Sequence, residues 1–168
     1  GIDDEIFAKL VALIRIAVPY TGMIVSTRES QAVREKVLKL GISQISGGSR
    51  TSVGGYTEEE RPTDTEQFDV SDQRTLDEVV HWLMDLGYIP SFCTACYRAG
   101  RTGDRFMELC KSKQIQNCCH PNALMTLKEY LMDYASEETR AIGEALIQAE
   151  LNNIPKENVR VICADHLQ

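Results

Sequence analysis

Cys93 and Cys96 form a Cys-x-x-Cys pair, and a third thiol, Cys119, follows after 22 intervening residues. Thiolates at such spacing hold zinc or an iron-sulfur cluster, and the two ask for different closures. A structural zinc takes four protein ligands, whereas three thiolates on a four-iron cluster leave one iron open to an outside ligand. Cys118, Cys119 and His120 would complete a zinc site only if adjacent residues both turned inward. One of the two vicinal cysteines suffices for a three-ligand site; Cys119 takes that place and Cys118 is expected as a buried thiol or near neighbour. Cys110, on a helical face with Phe106 and Met107, and Cys163 are expected in the core. A redox dithiol is the other alternative, although Pro90-Ser91-Phe92 ahead of the pair gives no thioredoxin-like setting. On spacing alone, iron-sulfur, zinc and redox chemistry all stay open.

A second group of residues with chemical potential is Ser26-Thr27-Arg28-Glu29, together with the glycine- and hydroxyl-rich run from Gly47 through Tyr56. Glycines let backbone amides approach a ligand, and hydroxyls and guanidinium groups bind carboxylates or phosphates. Taken alone, the run reads more readily as a Gly/Ser-rich turn, and its position at a strand end brings the two readings level.

Its place in the chain makes it more interesting. Asp3 and Asp4 cap an apolar-periodic helix (Phe7, Leu10, Val11, Leu13, Ile14) that ends before Pro19. Gly22 to Ser26 reads as a strand, Ser30 to Leu40 as a helix stopped by Gly41, and Ile42 to Ser46 as a second strand. Strand, helix, strand with short connections is a parallel βαβ unit, and ligands gather at the carboxyl ends of such strands. Both polar runs sit there.

Tyr56 to Glu66, polar and acidic through Glu58 to Pro62, reads as a surface loop or linker, Gln67 to Val70 as a short strand, and Ser71 or Asp72 as the cap of a helix through Val79, Val80, Leu83, Met84 and Leu86 to Gly87. His81 and Trp82 on that helix read as partly buried core. Beyond the cysteines the chain is helical: one helix from Pro121 with Leu124, Leu127, Tyr130 and Leu131, one from Ser136, and one opened by Pro155 with Val159, Val161 and Ile162. The predicted class is α/β, with βα units over 1–66 and a mainly helical domain over 67–168.

A formal net charge of −7 describes an acidic protein. The basic residues near the cysteines alternate with Asp104 and Glu108 and lack stacking aromatics, so no nucleic-acid partner is expected. Leu10 to Pro19 is too short to span a bilayer, and Asp3, Asp4 and Glu5 do not suit a signal peptide; no membrane is expected. Five of six cysteines cluster between 93 and 119, which suits a cofactor in a reducing cytoplasm better than a disulfide framework.

The segment Cys93-Thr94-Ala95-Cys96-Tyr97-Arg98-Ala99-Gly100-Arg101-Thr102-Gly103-Asp104-Arg105, with Cys119 beyond it, closely resembles the C-terminal cluster segment of the HydG family of FeFe-hydrogenase maturases. Agreement extends through Ser26 to Glu29, Ile45 to Arg50, Gly54-Gly55-Tyr56 and Gln67 to Arg74, so nearly the whole chain is covered. The earlier motifs are also similar to those of ThiH-type tyrosine lyases, and the three cysteines separate the two. The resemblance implies a radical S-adenosylmethionine (SAM) TIM-barrel enzyme that cleaves L-tyrosine to p-cresol and dehydroglycine, then makes carbon monoxide and cyanide. It implies an auxiliary 4Fe-4S cluster on Cys93, Cys96 and Cys119, bridged by a cysteine-type sulfur ligand to an additional iron, with other hydrogenase maturases as partners.

The chain departs from that family in one large respect. No Cys-x-x-x-Cys-x-x-Cys stands here for the SAM-binding 4Fe-4S cluster, and two βα units cannot close a barrel. The expectation is the last barrel units plus the auxiliary-cluster domain, with SAM and the second cluster bound mainly by an N-terminal portion, and no SAM cleavage by this chain alone. Arg28, Ser46, Gly47, Gly48, Ser49 and Arg50 are then candidates for one wall of the tyrosine and SAM cavity. Arg98, Arg101 and Arg105 would face anionic ligands at the cluster, or pair with Asp104 and Glu108. The alternatives are a non-catalytic zinc or iron-sulfur domain that docks onto a partner, and a ThiH-like lyase fragment.

Overall fold

The computed structural model describes residues 2–51, 70–93 and 104–167, with the backbone alone for 104–106. They form two compact units, Gly1–Leu76 and Asp77–Gln168.

In the first unit, helix α1 (Asp4–Ala17) begins as predicted: the Asp3 carboxylate accepts from the amides of Glu5 (2.9 Å) and Ile6 (3.4 Å). Strand β1 (Ile24–Val25) follows, then α2 (Gln31–Lys39), whose first turn is capped by Ser30 Oγ accepting from the Val33 amide. Strand β2 (Gln44–Ile45) pairs in parallel with β1, Ile24 opposite Gln44 and Val25 opposite Ile45. Both strands are shorter than expected. Val11, Val25, Val33, Val37 and Ile42 form this unit's core.

Arg15 replaces missing secondary structure in the connections. Its Nη1 donates to the carbonyls of Pro19 (3.0 Å) and Thr21 (2.9 Å), and its Nε and Nη2 donate to that of Gly41. Gly41 has φ +101°, and a Cβ there would lie 2.9 Å from Arg15 Nε, so the α2 stop needs glycine for two reasons.

The other expected strand, Gln67 to Val70, and the loop with Glu58 to Pro62 lie outside the described residues, apart from Val70. No barrel closes among the described residues, whose sheet is β1 and β2 alone.

The second unit is helical: α3 (Leu76–Asp85), α4 (Asp104–Lys111), α5 (Ile115–Asp133), α6 (Glu137–Leu151) and α7 (Glu157–His166). Helix α5 packs on both α6 and α7 around Leu124, Leu127, Leu131, Ile147, Ile154 and Cys163. At Gly143 a Cβ would fall 2.4 Å from a Leu131 methyl, so α6 approaches α5 as closely as glycine permits. Arg140 Nε donates to the Leu131 carbonyl (2.8 Å), satisfying an acceptor in the last turn of α5.

Three expectations need correction. Helix α3 starts at Leu76 because Asp72 is engaged elsewhere, as described below. Helix α5 starts at Ile115, and Pro121 lies inside it, so Cys118, Cys119 and His120 belong to its first turns. Val161 and Ile162 on α7 face outward, and Cys163 supplies its buried contact.

Candidate functional site: two strand exits and a thiol-bearing helix

Because β1 and β2 are parallel, Arg28 and Ser46 to Arg50 leave the sheet at the same end. The Arg28 amide donates to Ser26 Oγ (3.1 Å), turning the first exit; Arg28 is exposed, while Ser46 to Arg50 are half-buried. The Ser46 amide extends the ladder onto the Val25 carbonyl (3.1 Å). Gly48 has φ +63°, and a Cβ on it would stand 3.2 Å from the Leu76 amide nitrogen, so this turn too depends on glycine.

Behind the exits lies a buried charge network. Arg34, fully buried on α2, donates through Nη1 to Asp72 Oδ2 and through Nη2 to the Ser46 carbonyl. Asp72, 4% exposed, also accepts from Arg74 Nε (2.9 Å) and Nη2 (2.6 Å), while its own amide donates to the Thr27 carbonyl (2.9 Å). Burial pushes the Asp72 carboxyl up, but the bonds from Arg74 and the charges of Arg34 and Arg74 outweigh it and hold the group below the usual carboxylate range.

Of the three cysteines, Cys93 is half-buried, its amide near Ser91 Oγ (3.4 Å), and Cys119 is half-buried in α5. Cys96 lies outside the described residues, as do Arg98, Arg101 and the side chain of Arg105. Cys118 is a near neighbour of Cys119, Sγ to Sγ 3.7 Å, but it is exposed, because successive helix positions diverge by about 100° around the axis. Cys163 is in the core, as expected; Cys110 is only half-buried. Burial pushes the Cys163 thiol up, which suits a packing role rather than ligation. Cys93 and Cys119 are partly accessible thiols without a disulfide, so their chemistry fits thiolate ligation of a metal cluster.

A second polar cluster joins α3, α5 and the start of α6. Asp77 accepts from Tyr130 Oη (3.1 Å), Thr139 Oγ1 (2.9 Å) and the Ser136 amide (3.4 Å), and His81 Nδ1 lies 3.2 Å from Thr139 Oγ1. Trp82 is buried and His81 half-buried. His120 Nε2 sits 3.1 Å from Glu150 Oε2, close enough for an ion pair but not aligned as a hydrogen bond.

Sequence reasoning missed Arg34. The signal was its position beside Val33 and three residues before Val37, on the face of α2 that turns to the core.

A profile of the Biotin and Thiamin Synthesis associated (BATS) domain matches residues 2–89, just over half of the chain. The chain belongs to the BATS family. The BATS match spans both strand exits and α3. Two curated relatives, the 2-iminoacetate synthases of Escherichia coli (strain K12) and Salmonella typhimurium (strain LT2), are each 31% identical over 88 residues, which is 52% of this chain and 23% of theirs. Likeness to solved structures runs further. A crystal structure of HydG, a maturase of the [FeFe]-hydrogenase, is 54% identical over 99% of this chain, with a TM-score of 0.87; HydG from Carboxydothermus hydrogenoformans is 37% identical over 100%, with a TM-score of 0.72. The match falls on the C-terminal part of HydG, and these relatives together are those of the radical SAM tyrosine lyase family. This BATS chain spans about a third of the HydG chains (36% and 34%) and under a quarter of the synthases. Among the described residues, no helix is long and apolar enough to cross a membrane.

Proposed function

We propose that this chain is the carboxyl-terminal portion of a HydG-type radical SAM tyrosine lyase, cytoplasmic and acting on L-tyrosine for FeFe-hydrogenase maturation. The observation that carries the reading is the extent of the likeness. Similarity to 2-iminoacetate synthase covers 52% of the chain, whereas similarity to HydG covers 99% at 54% identity. The helical half with its cysteines therefore favours HydG over a ThiH-like fragment.

In this reading β1, α2 and β2 are the last units of a TIM barrel. Ile24 is 64% exposed although it lies on a strand, and Ile6, Leu10 and Leu13 leave an apolar stripe of α1 exposed. Flanking barrel units from an N-terminal portion, which would also hold SAM and its 4Fe-4S cluster, would cover both. At the strand exits, Arg28 would meet the carboxylate of tyrosine or SAM, with hydroxyls and amides from Ser46 to Arg50 completing the wall.

Cys93, Cys96 and Cys119 would hold an auxiliary 4Fe-4S cluster. Bound there, it supplies an iron with one position left open by the three thiolates, for an additional iron attached through a cysteine-type sulfur. Dehydroglycine from tyrosine cleavage would be converted there to carbon monoxide and cyanide, and the product passed to other hydrogenase maturases. Arg98, Arg101 and Arg105 are placed in sequence to attract anions toward it.

The test uses the complete enzyme carrying this chain, reconstituted anaerobically. Replacing Cys93, Cys96 and Cys119 by Ser is expected to remove the auxiliary cluster's electron paramagnetic resonance signal and about five irons, the cluster's own and the additional one, to abolish carbon monoxide and cyanide, and to spare p-cresol. Stoichiometric zinc with no cluster signal in the unmodified protein would sink this reading in favour of a zinc docking domain. Intact cyanide formation in the triple variant would revive the ThiH-like one.

A further inference from the structure

The network behind the strand exits has no evident purpose in stability. Removing a guanidinium and a carboxylate from water is costly, and well-packed apolar residues commonly replace such a pair with no loss. A planar fork of N–H donors can nevertheless grip two acceptors at a fixed separation, which no apolar side chain can do.

Arg34 uses its fork in that way. One arm holds the Asp72 carboxylate and the other holds the Ser46 carbonyl, at the exit of β2. Asp72 passes the connection on, since its amide donates to the Thr27 carbonyl (2.9 Å), at the exit of β1. Thr27 is itself buried and immediately precedes Arg28. With β1 and β2 only two residues long each, the ladder alone provides few bonds to keep the exits in register. Arg74 grips Asp72 as well, its Nη2 on the Oδ2 that Arg34 holds and its Nε on Oδ1, so both carboxylate oxygens are engaged.

We infer that Arg34 and Asp72 are positioning residues that lock the two strand exits at one spacing, so that Arg28 and Ser46 to Arg50 present their donors to a single carboxylate of an amino-acid substrate. This rests on the proposed reading of those exits as the substrate wall. Misplacing such donors by about 1 Å costs on the order of a hundredfold in rate. Lysine at position 34 keeps the charge but offers one compact ammonium instead of a fork.

The experiment compares equilibrium binding of tyrosine and of tyramine, which lacks the carboxylate, to the complete enzyme and its Arg34→Lys variant, with thermal unfolding run in parallel. The expected result is a loss of about tenfold or more in tyrosine affinity, unchanged tyramine affinity, and a lowered melting temperature that still leaves the enzyme folded at the temperature of the binding measurement. If the unmodified enzyme binds the two ligands equally, the substrate-wall reading fails and the positioning role with it. If it prefers tyrosine and Arg34→Lys keeps that preference, the positioning role alone is overturned. Should Arg34→Lys not fold, or lose both ligands, Asp72→Asn is judged on the same readout; its loss of tyrosine preference supports the proposal, and its retention or failure to fold overturns it.

Discussion

The ring of Phe92 stacks on that of Tyr130, centroids 4.8 Å apart and planes inclined by 14°. Phe92 immediately precedes Cys93, and Tyr130 stands on α5, the helix that carries Cys119. One aromatic contact therefore ties the segment of the first candidate ligand to the helix of the third. Tyr130 is held in turn, its hydroxyl donating to Asp77 and its ring tilted against Tyr134 at 6.0 Å.

Phe92→Ala should cost about 1 kcal/mol, the scale of a stacked aromatic pair, because Phe92 is 39% exposed and little burial is lost. Urea denaturation measures that loss. We further expect lower iron and sulfide incorporation in the complete enzyme, with Phe92→Leu intermediate. Full incorporation by Phe92→Ala would show that the stack does not place Cys93.

Asp77 should make the helical unit sensitive to acid. Burial pushes its carboxyl up, yet hydrogen bonds from Ser136, Thr139 and Tyr130 outweigh burial, and the folded group lies below its usual value. Its stabilisation is present above the unfolded carboxyl value of about 4 and is lost as pH falls through the folded one. Asp77→Asn should flatten the dependence of unfolding free energy on pH in that acid range. Tyr130 adds the opposite limb: burial and then the Asp77 charge push its phenol up, so its share is lost as pH rises above about 10. An unaltered acid limb in Asp77→Asn would contradict the assignment.

Gly143→Ala should destabilise by about 1–3 kcal/mol through overpacking. The new methyl would meet two Leu131 carbons at 2.4 and 2.6 Å, and Leu131 is fully buried, so its side chain must shift within a packed core. The double variant Gly143→Ala with Leu131→Val should recover part of that loss in thermal unfolding. A neutral single variant would mean that α5 and α6 separate more readily than their contact implies.

Thiol alkylation without metal should follow exposure. Of the described cysteines, Cys118, exposed on α5, should react with iodoacetamide first, and Cys163 last, being 2% exposed with its thiol pushed up by burial. Peptide mass spectrometry over time gives the order. Equal rates would require the α7 core contact to open freely.

Much of this could be read locally. Asp3, Ser30 and Ser136 cap their helices as expected, because a cap is decided within three residues of itself. Gly41 and Gly87 likewise mark helix ends through their positive φ. What escaped depends on partners far along the chain. Asp72 looked like a cap because short polar residues usually are, and its partner Arg34 lies 38 positions away. Pro121 looked like a first helical residue, and only packing shows two turns ahead of it. Leu10 and Leu13 fit the periodicity of α1 but face outward, since an apolar stripe in sequence does not say what covers it. At the candidate site the residue types were legible, while the chain of bonds joining the strand exits was not.

Pro121 has a consequence for α5 as a mechanical part. A proline in a helix interior donates no hydrogen bond, so the carbonyl of Asn117 loses its helical partner beside Cys118 and Cys119. One backbone hydrogen bond fewer therefore joins the thiol-bearing turns to the stretch beyond, where Leu124, Leu127 and Leu131 are fully enclosed. Helix α5 is thus notched at Pro121, and a bend in it would fall between its cysteine-bearing turns and its packed interior.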